Sequence, residues 1–179
     1  MIRRNCFVAG VLAVALLGWV ADGQAQDWRN YKSSEGRFSI DVPVPPKQTK
    51  TVQESFIGSV TNHIFTSLHD DSKYTVDYSE IPSFAVDFAG ADTIIDHAKG
   101  AVAMQTMAKV KSSENISVGK YKGKKFVFEL PKHPGKPQRT AVAYIVLVGD
   151  RLYVVDAEVP VSEGPDDTDR FLKSLSFID

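Results

Sequence analysis

The sequence predicts an α+β fold, an antiparallel sheet covered by one long helix and a short C-terminal helix. Three observations lead there. Most of the chain reads as short runs of alternating apolar and polar residues joined by Gly, Asp and Ser turns, as half-buried strands in hairpins do. One stretch, beginning at Ala91 or Asp92 and running to about Lys109, repeats its apolar residues at helical spacing instead. Strands and helices do not alternate, which speaks against a doubly wound nucleotide fold.

Taken in order, Trp28 to Tyr31 reads as a short strand and Ser33-Ser34-Glu35-Gly36 as a turn. Arg37 to Val42 alternates as a half-buried strand should, and Pro43, Pro45 and Pro46 end it because proline removes a ladder donor. Thr49 to Phe56 and Val60 to Leu68 form a hairpin candidate across Gly58, with Val60, Ile64 and Leu68 on one face. After the turn Asp70-Asp71-Ser72, the next strand aligns Tyr74, Val76 and Tyr78 on one side. The helical stripe is Ala91, Ile94, Ile95, Ala98, Ala101, Val102 and Ala108. Gly100 interrupts it at a cost of up to about 1 kcal/mol, which suggests that the helix backbone approaches the sheet closely there.

Strands resume at Ile116 to Lys120, and Tyr121-Lys122-Gly123 is expected to turn the chain into Lys125 to Leu130. A proline-rich loop, Pro131 to Pro137, follows. Thr140 to Val148 is apolar on both faces, as a central strand covered on both sides would be. Gly149-Asp150 is a hairpin turn, and Leu152 to Val159 returns. Asp166-Asp167 is expected to cap a last helix with the inward stripe Phe171, Leu172 and Leu175, before Ser176-Phe177-Ile178 closes the fold.

Residues 1–25 read as a signal peptide: Arg3 and Arg4, an apolar run from Phe7 to Val20, then Gly23-Gln24-Ala25 as a small-x-small cleavage site. The run is shorter than the roughly 20 residues a membrane span needs. Cys6 precedes the apolar core, so it is misplaced for lipidation. The expected mature product, residues 26–179, is a single domain of 154 residues and net charge −2, periplasmic or secreted. That charge argues against a nucleic-acid binder. The only Cys leaves with the leader, which excludes a disulfide, a thiolate nucleophile and a cysteine metal ligand from the mature chain.

Three stretches resemble exported proteins with the PsbP-like fold, named for an extrinsic protein of photosystem II. They are Trp28 to Pro46 with its Gly36-Arg37-Phe38-Ser39-Ile40 core, Gly119-Lys120-Tyr121-Lys122-Gly123, and Arg139 to Val155 followed by Phe171-Leu172-Lys173-Ser174-Leu175-Ser176-Phe177. The resemblance implies the fold and an assembly or interaction role without chemistry; no functional residue of that group maps onto this chain.

A search for chemistry finds little. His63, His69, His97 and His133 form no HExxH or comparable metal pair. His69-Asp70-Asp71 reads as a solvated turn, and Asp166-Asp167-Thr168-Asp169 lacks the EF-hand spacing. There is no Gly-x-Ser-x-Gly elbow and no phosphate-cradling glycine loop. No catalytic residue, metal or cofactor is therefore assigned, and a hydrolase is the third-ranked class.

Charge patterning is more informative. Residues 120–139 carry a local net of +6, and residues 150–169 a local net of −6. Lys120, Lys122, Lys124, Lys125, Lys132, His133, Lys136 and Arg139 are the candidate docking patch for a protein or an anionic envelope component. The plain alternative is a solvated hairpin face whose charges pair with the acidic segment on an adjacent strand. Tyr74, Tyr78, Tyr144, Tyr153, Phe126 and Phe128 read as core, with a ligand pocket as the alternative. The first-ranked reading is a non-catalytic exported binding or assembly domain. The second is a carrier or sensor of a small apolar ligand held between sheet and helix.

Overall fold

The computed structural model describes residues 28–55 and 58–178, without the side chains of residues 54 and 55. The expected leader and the last predicted residue of the first hairpin strand, Phe56, lie outside them.

Ten strands and three helices occur among the described residues. They are β1 (Arg29–Ser33), β2 (Phe38–Val42), β3 (Lys47–Ser55), β4 (Gly58–His69), β5 (Ser72–Glu80), α1 (Ser83–Ala89), α2 (Ala91–Thr106), β6 (Lys109–Val118), β7 (Tyr121–Glu129), β8 (Arg139–Val148), β9 (Arg151–Pro160), α3 (Asp166–Lys173) and β10 (Ser176–Phe177). Two hairpin runs, β3-β4-β5 and β6-β7-β8-β9, join through antiparallel pairing of β5 with β9. The result is a seven-stranded sheet in the order β3-β4-β5-β9-β8-β7-β6, with β1, β2 and β10 in a separate three-stranded sheet. The fold is α+β and mostly antiparallel.

Each face of the large sheet buries a different set of side chains, because successive residues on a strand point to opposite faces. Tyr74, Val76 and Tyr78 of β5 and Tyr153, Val155 and Ala157 of β9 pack with Phe38 and Ile40 of β2 and with Phe171 and Leu172 of α3. The other face sets Ala141, Ala143 and Ile145 of β8 and Phe126 and Phe128 of β7 against Ile95 of α2. The small sheet and α3 thus form one outer layer and α1–α2 the other. The aromatics read as core are core: Tyr74, Tyr78, Tyr153, Phe126 and Phe128 are buried, and Tyr144 is half-buried beside them.

Two glycines of the motifs singled out in the sequence are fixed by close approach. A Cβ on Gly36 would stand 2.6 Å from the Phe38 ring, and one on Gly123 would stand 2.6 Å from the Ile145 carbonyl oxygen. The Tyr153 hydroxyl donates to the Gly36 carbonyl at 2.7 Å, and Arg151 donates to the Glu35 carbonyl at 2.9 Å, tying the β1–β2 turn to the large sheet.

Several expectations change. Gly100 has no atom within 4 Å of its Cβ position, so no close approach explains it. Residues 121–123 lie inside β7, and the turn sits at Gly119-Lys120; β6 begins at Lys109, seven residues before its expected start. Asp166 and Asp167 stand in the first turn of α3 behind an N-cap Pro165 and make no side-chain capping bond. Their contribution is charge at the positive end of the helix dipole. The short helix α1 and the separate small sheet were not anticipated.

Candidate functional site

α2 contacts the sheet through β7 and β8. Towards β9, β5 and β4 the helix layer stands off the sheet. α1 lies there, joined to α2 through the shared cap residue Gly90, and buries none of its own residues. Phe84 and Phe88 repeat at i,i+4 and so share a face of the helix; Phe88 is 94% exposed. Between this helix pair and the sheet runs a cleft of about 700 Å³. Its walls include Phe84, Ala85 and Phe88 of α1 and Ile94, Ala98, Ala101 and Val102 of α2, and its floor includes Val60 of β4 and Leu152 and Val154 of β9. The volume and apolar lining match those of small-molecule sites, which run from about 300 to 1,000 Å³.

Polar groups in the cleft are few. Asn62, Asp77 and Ser79 come from the floor, His97 and Gln105 from α2, and Gln53 from β3. Asp77 stands opposite Ile64 on β4 and Val154 on β9, so its cross-strand neighbours supply no donor. Its Oδ1 is buried and has no hydrogen-bond partner. Burial pushes the Asp77 carboxyl up from 3.8 to about 6. One step along the same face, burial pushes Asp156 of β9 up to about 7, with Lys73 opposing and the charges of Glu158 and Asp77 adding to the rise. Carboxylates kept from water without a partner are expensive, and proteins ordinarily pair them.

Sequence reasoning missed this site. Its available signals were the Phe84–Phe88 spacing and a polar row, Thr75, Asp77 and Ser79, on a strand that reads as facing solvent. The alternative of a tyrosine-lined pocket is not what forms, since the tyrosines face the opposite layer as core.

The eight residues of the basic segment are distributed as follows. Alternation along β7 puts Lys122 and Lys124 on the α2 face and Lys125 on the other. Lys124 Nζ lies 3.2 Å from Asp96 and 3.4 Å from Asp92, both on α2, and these carboxylates hold its ammonium above the usual range. Lys125 stands opposite Glu114 on β6. Lys120 lies over the Tyr121 ring at 5.2 Å. Arg139 Nε donates to Glu158 at 2.8 Å, and Lys73 Nζ sits 2.6 Å from the same carboxylate. Burial alone would raise the Glu158 carboxyl, but these two cations outweigh it and hold it below the usual range. Lys122, Lys132, His133 and Lys136 are exposed, and none has an ion-pair partner among the described residues. The basic β7 and acidic β9 are not adjacent, since β8 lies between them.

The remaining histidines are spread out. His63 stacks on Tyr78 with 4.5 Å between ring centroids and lies 3.4 Å from Glu35, while His69 pairs with Asp70 at 3.1 Å. Among the described residues no group of three His, Cys, Asp or Glu gathers to hold a metal ion. No helix among them is long and apolar enough to cross a membrane.

No protein-family model matches the sequence, and no curated protein matches it. Solved structures do match in shape. The solution structure of cyanobacterial PsbP (CyanoP) from Synechocystis sp. PCC 6803 superposes with a TM-score of 0.55 at 15% identity, covering 90% of this chain and 98% of that one. A crystal structure from Bacteroides thetaiotaomicron VPI-5482 superposes with a TM-score of 0.50 at 11% identity, and there the chain spans 84% of its own length and 48% of the other. At such identities the likeness carries the fold alone: the architecture of this chain is PsbP-like.

Proposed function

We propose that this protein is an exported, non-catalytic binding domain, and that its binding face is the cleft between α1–α2 and the sheet. The observation that carries the reading is the cleft itself, about 700 Å³ of largely apolar space with two exposed phenylalanines at its rim. Apolar surface of this kind, left uncovered on a polar protein, is ordinarily a recognition site. A small apolar ligand held between sheet and helix fits this shape better than a flat protein interface would. The non-catalytic part is supported by the PsbP-like resemblance of the sequence; Asp77, Ser79 and His97 line the same cleft, but Asp77 Oδ1 bonds neither of the other two. Export rests on the charge, apolar run and cleavage site of residues 1–25.

The test is titration with N-phenyl-1-naphthylamine, a neutral dye that brightens in apolar surroundings. Saturable binding near one dye per protein, abolished by Ala101→Trp, is the expected result. Ala101 is exposed and lines the cleft, so the large ring fills space without disturbing the core. Absence of saturable binding, or binding that Ala101→Trp leaves intact, overturns the assignment.

A second reading has its own observation: Lys122, Lys132, His133 and Lys136 are exposed without ion-pair partners among the described residues. These four form the part of the basic segment available for docking an anionic partner.

A further inference from the structure

We propose that the cleft binds an apolar amphiphile bearing a protonated amine, with the ammonium on Asp77 and the hydrocarbon body against α1, α2 and β9. The inference rests on the cleft being the binding face and goes on to specify its occupant.

The argument is one of charge complementarity. Among the described residues lining the cleft, Asp77 is the single acid, and neither lysine nor arginine is present. His97, on the α2 wall, is the only other titratable group there. Two cations on the sheet are already engaged: Lys73 and Arg139 both bind Glu158. Asp77 Oδ1 is thus a buried acceptor that the fold leaves without a donor. Asp156, on the next strand, adds negative potential and no compensation.

Such a floor discriminates between head groups. An alcohol offers one neutral donor, a carboxylate is repelled, and an ammonium supplies both charge and donors. A charge-assisted hydrogen bond is about twice as strong as a neutral one. Apolar residues on three sides then favour a hydrocarbon body over a compact polar amine.

The experiment is competition against bound N-phenyl-1-naphthylamine by dodecylamine, dodecanol and dodecanoate, each below its aggregation concentration, at pH 7.5. Dodecylamine should displace the dye at about one-tenth the concentration of dodecanol, with dodecanoate weakest. Asp77→Asn should weaken dodecylamine about tenfold and leave dodecanol within about twofold. The substitution keeps the shape of the side chain, and dye affinity in the variant reports that the cleft is intact. Equal competition by all three probes, or an unchanged dodecylamine affinity in Asp77→Asn, overturns the amine assignment while leaving the apolar binding face standing. Failure of the dye to bind overturns the binding face as well. Dimerisation that the dye suppresses would make a second copy of the chain the occupant, which also overturns the proposal.

Discussion

Replacing Asp77 by Asn should stabilise the protein, and only above a definite pH. The carboxyl ionises at about 6 in the folded chain against 3.8 when free of its surroundings, burial being the cause. For an acid raised in this way the unfolded chain gives up its proton first. Stability is therefore complete below pH 3.8, falls as the pH rises towards about 6, and stays low above it. At ~1.4 kcal/mol per pH unit, the interval amounts to about 3 kcal/mol. Asparagine avoids the ionisation but must still solvate an amide, so the net gain at pH 8 should be about 1–3 kcal/mol. It should vanish near pH 4. Asp156 titrates in both proteins, and loss of the Asp77 charge eases its ionisation, which adds to the gain. Urea unfolding of both proteins at pH 4, 5, 6, 7 and 8 measures the difference directly. A variant as stable as the wild type at pH 8, or a difference that does not change with pH, would refute the burial argument.

Four other outcomes follow from the same structure. Phe171, 1% exposed and 5.2 Å from the Tyr74 ring, should cost about 3–5 kcal/mol as Phe171→Ala by urea unfolding; a loss under about 1 kcal/mol would mean that α3 does not dock as described. Gly123→Ala should destabilise by about 1–3 kcal/mol through collision with Ile145 and Val146, whereas Gly100→Ala should stabilise by about 0.5–1 kcal/mol in the same assay. Combined reversal of Lys122, Lys132 and Lys136 to Glu should leave thermal unfolding unchanged and remove any salt-sensitive binding to anionic vesicles; equal vesicle binding by both proteins sinks the docking patch. Mass spectrometry of the exported protein should find an N-terminus near Gln26 and no change in unfolding with reductant; an intact Met1–Asp179 species would contradict processing.

Much of the architecture was legible because hairpins are local. The alternation in Arg37–Val42, the Gly149-Asp150 turn and the two-sided apolar run of Thr140–Val148 each report on neighbours a few residues away, and all three appear in the structure. α1 was not legible for a physical reason. Only seven residues lie between Pro82 and Gly90, and of these Ala85 and Val86 pack half-buried against the core, so the inward stripe is too short to be read. Charge pairing was legible only in part, since it is non-local: Arg139 does pair with Glu158 of the acidic segment on the adjacent strand. Lys124 finds its acids on α2, 28 residues earlier at Asp96, through a crossover that periodicity cannot reveal.

Asp77 shows where local reading misleads about function as well as fold. Between Val76 and Tyr78 its alternation is that of an ordinary solvent-facing residue, and so it reads as unremarkable. What changes its meaning is a helix pair anchored 17 or more residues downstream, at Ile94 and Ile95, and resting mainly on β7 and β8. Had α2 packed over β5, an apolar residue would be required at position 77; had it been absent, the carboxylate would be hydrated and inert. Instead the layer stands off the sheet by the depth of the cleft, which Asp77 lines while its Oδ1 stays buried without a hydrogen-bond partner. The polar row on β5 is thus neither core nor surface, and that intermediate placement is the reason to look for an occupant there.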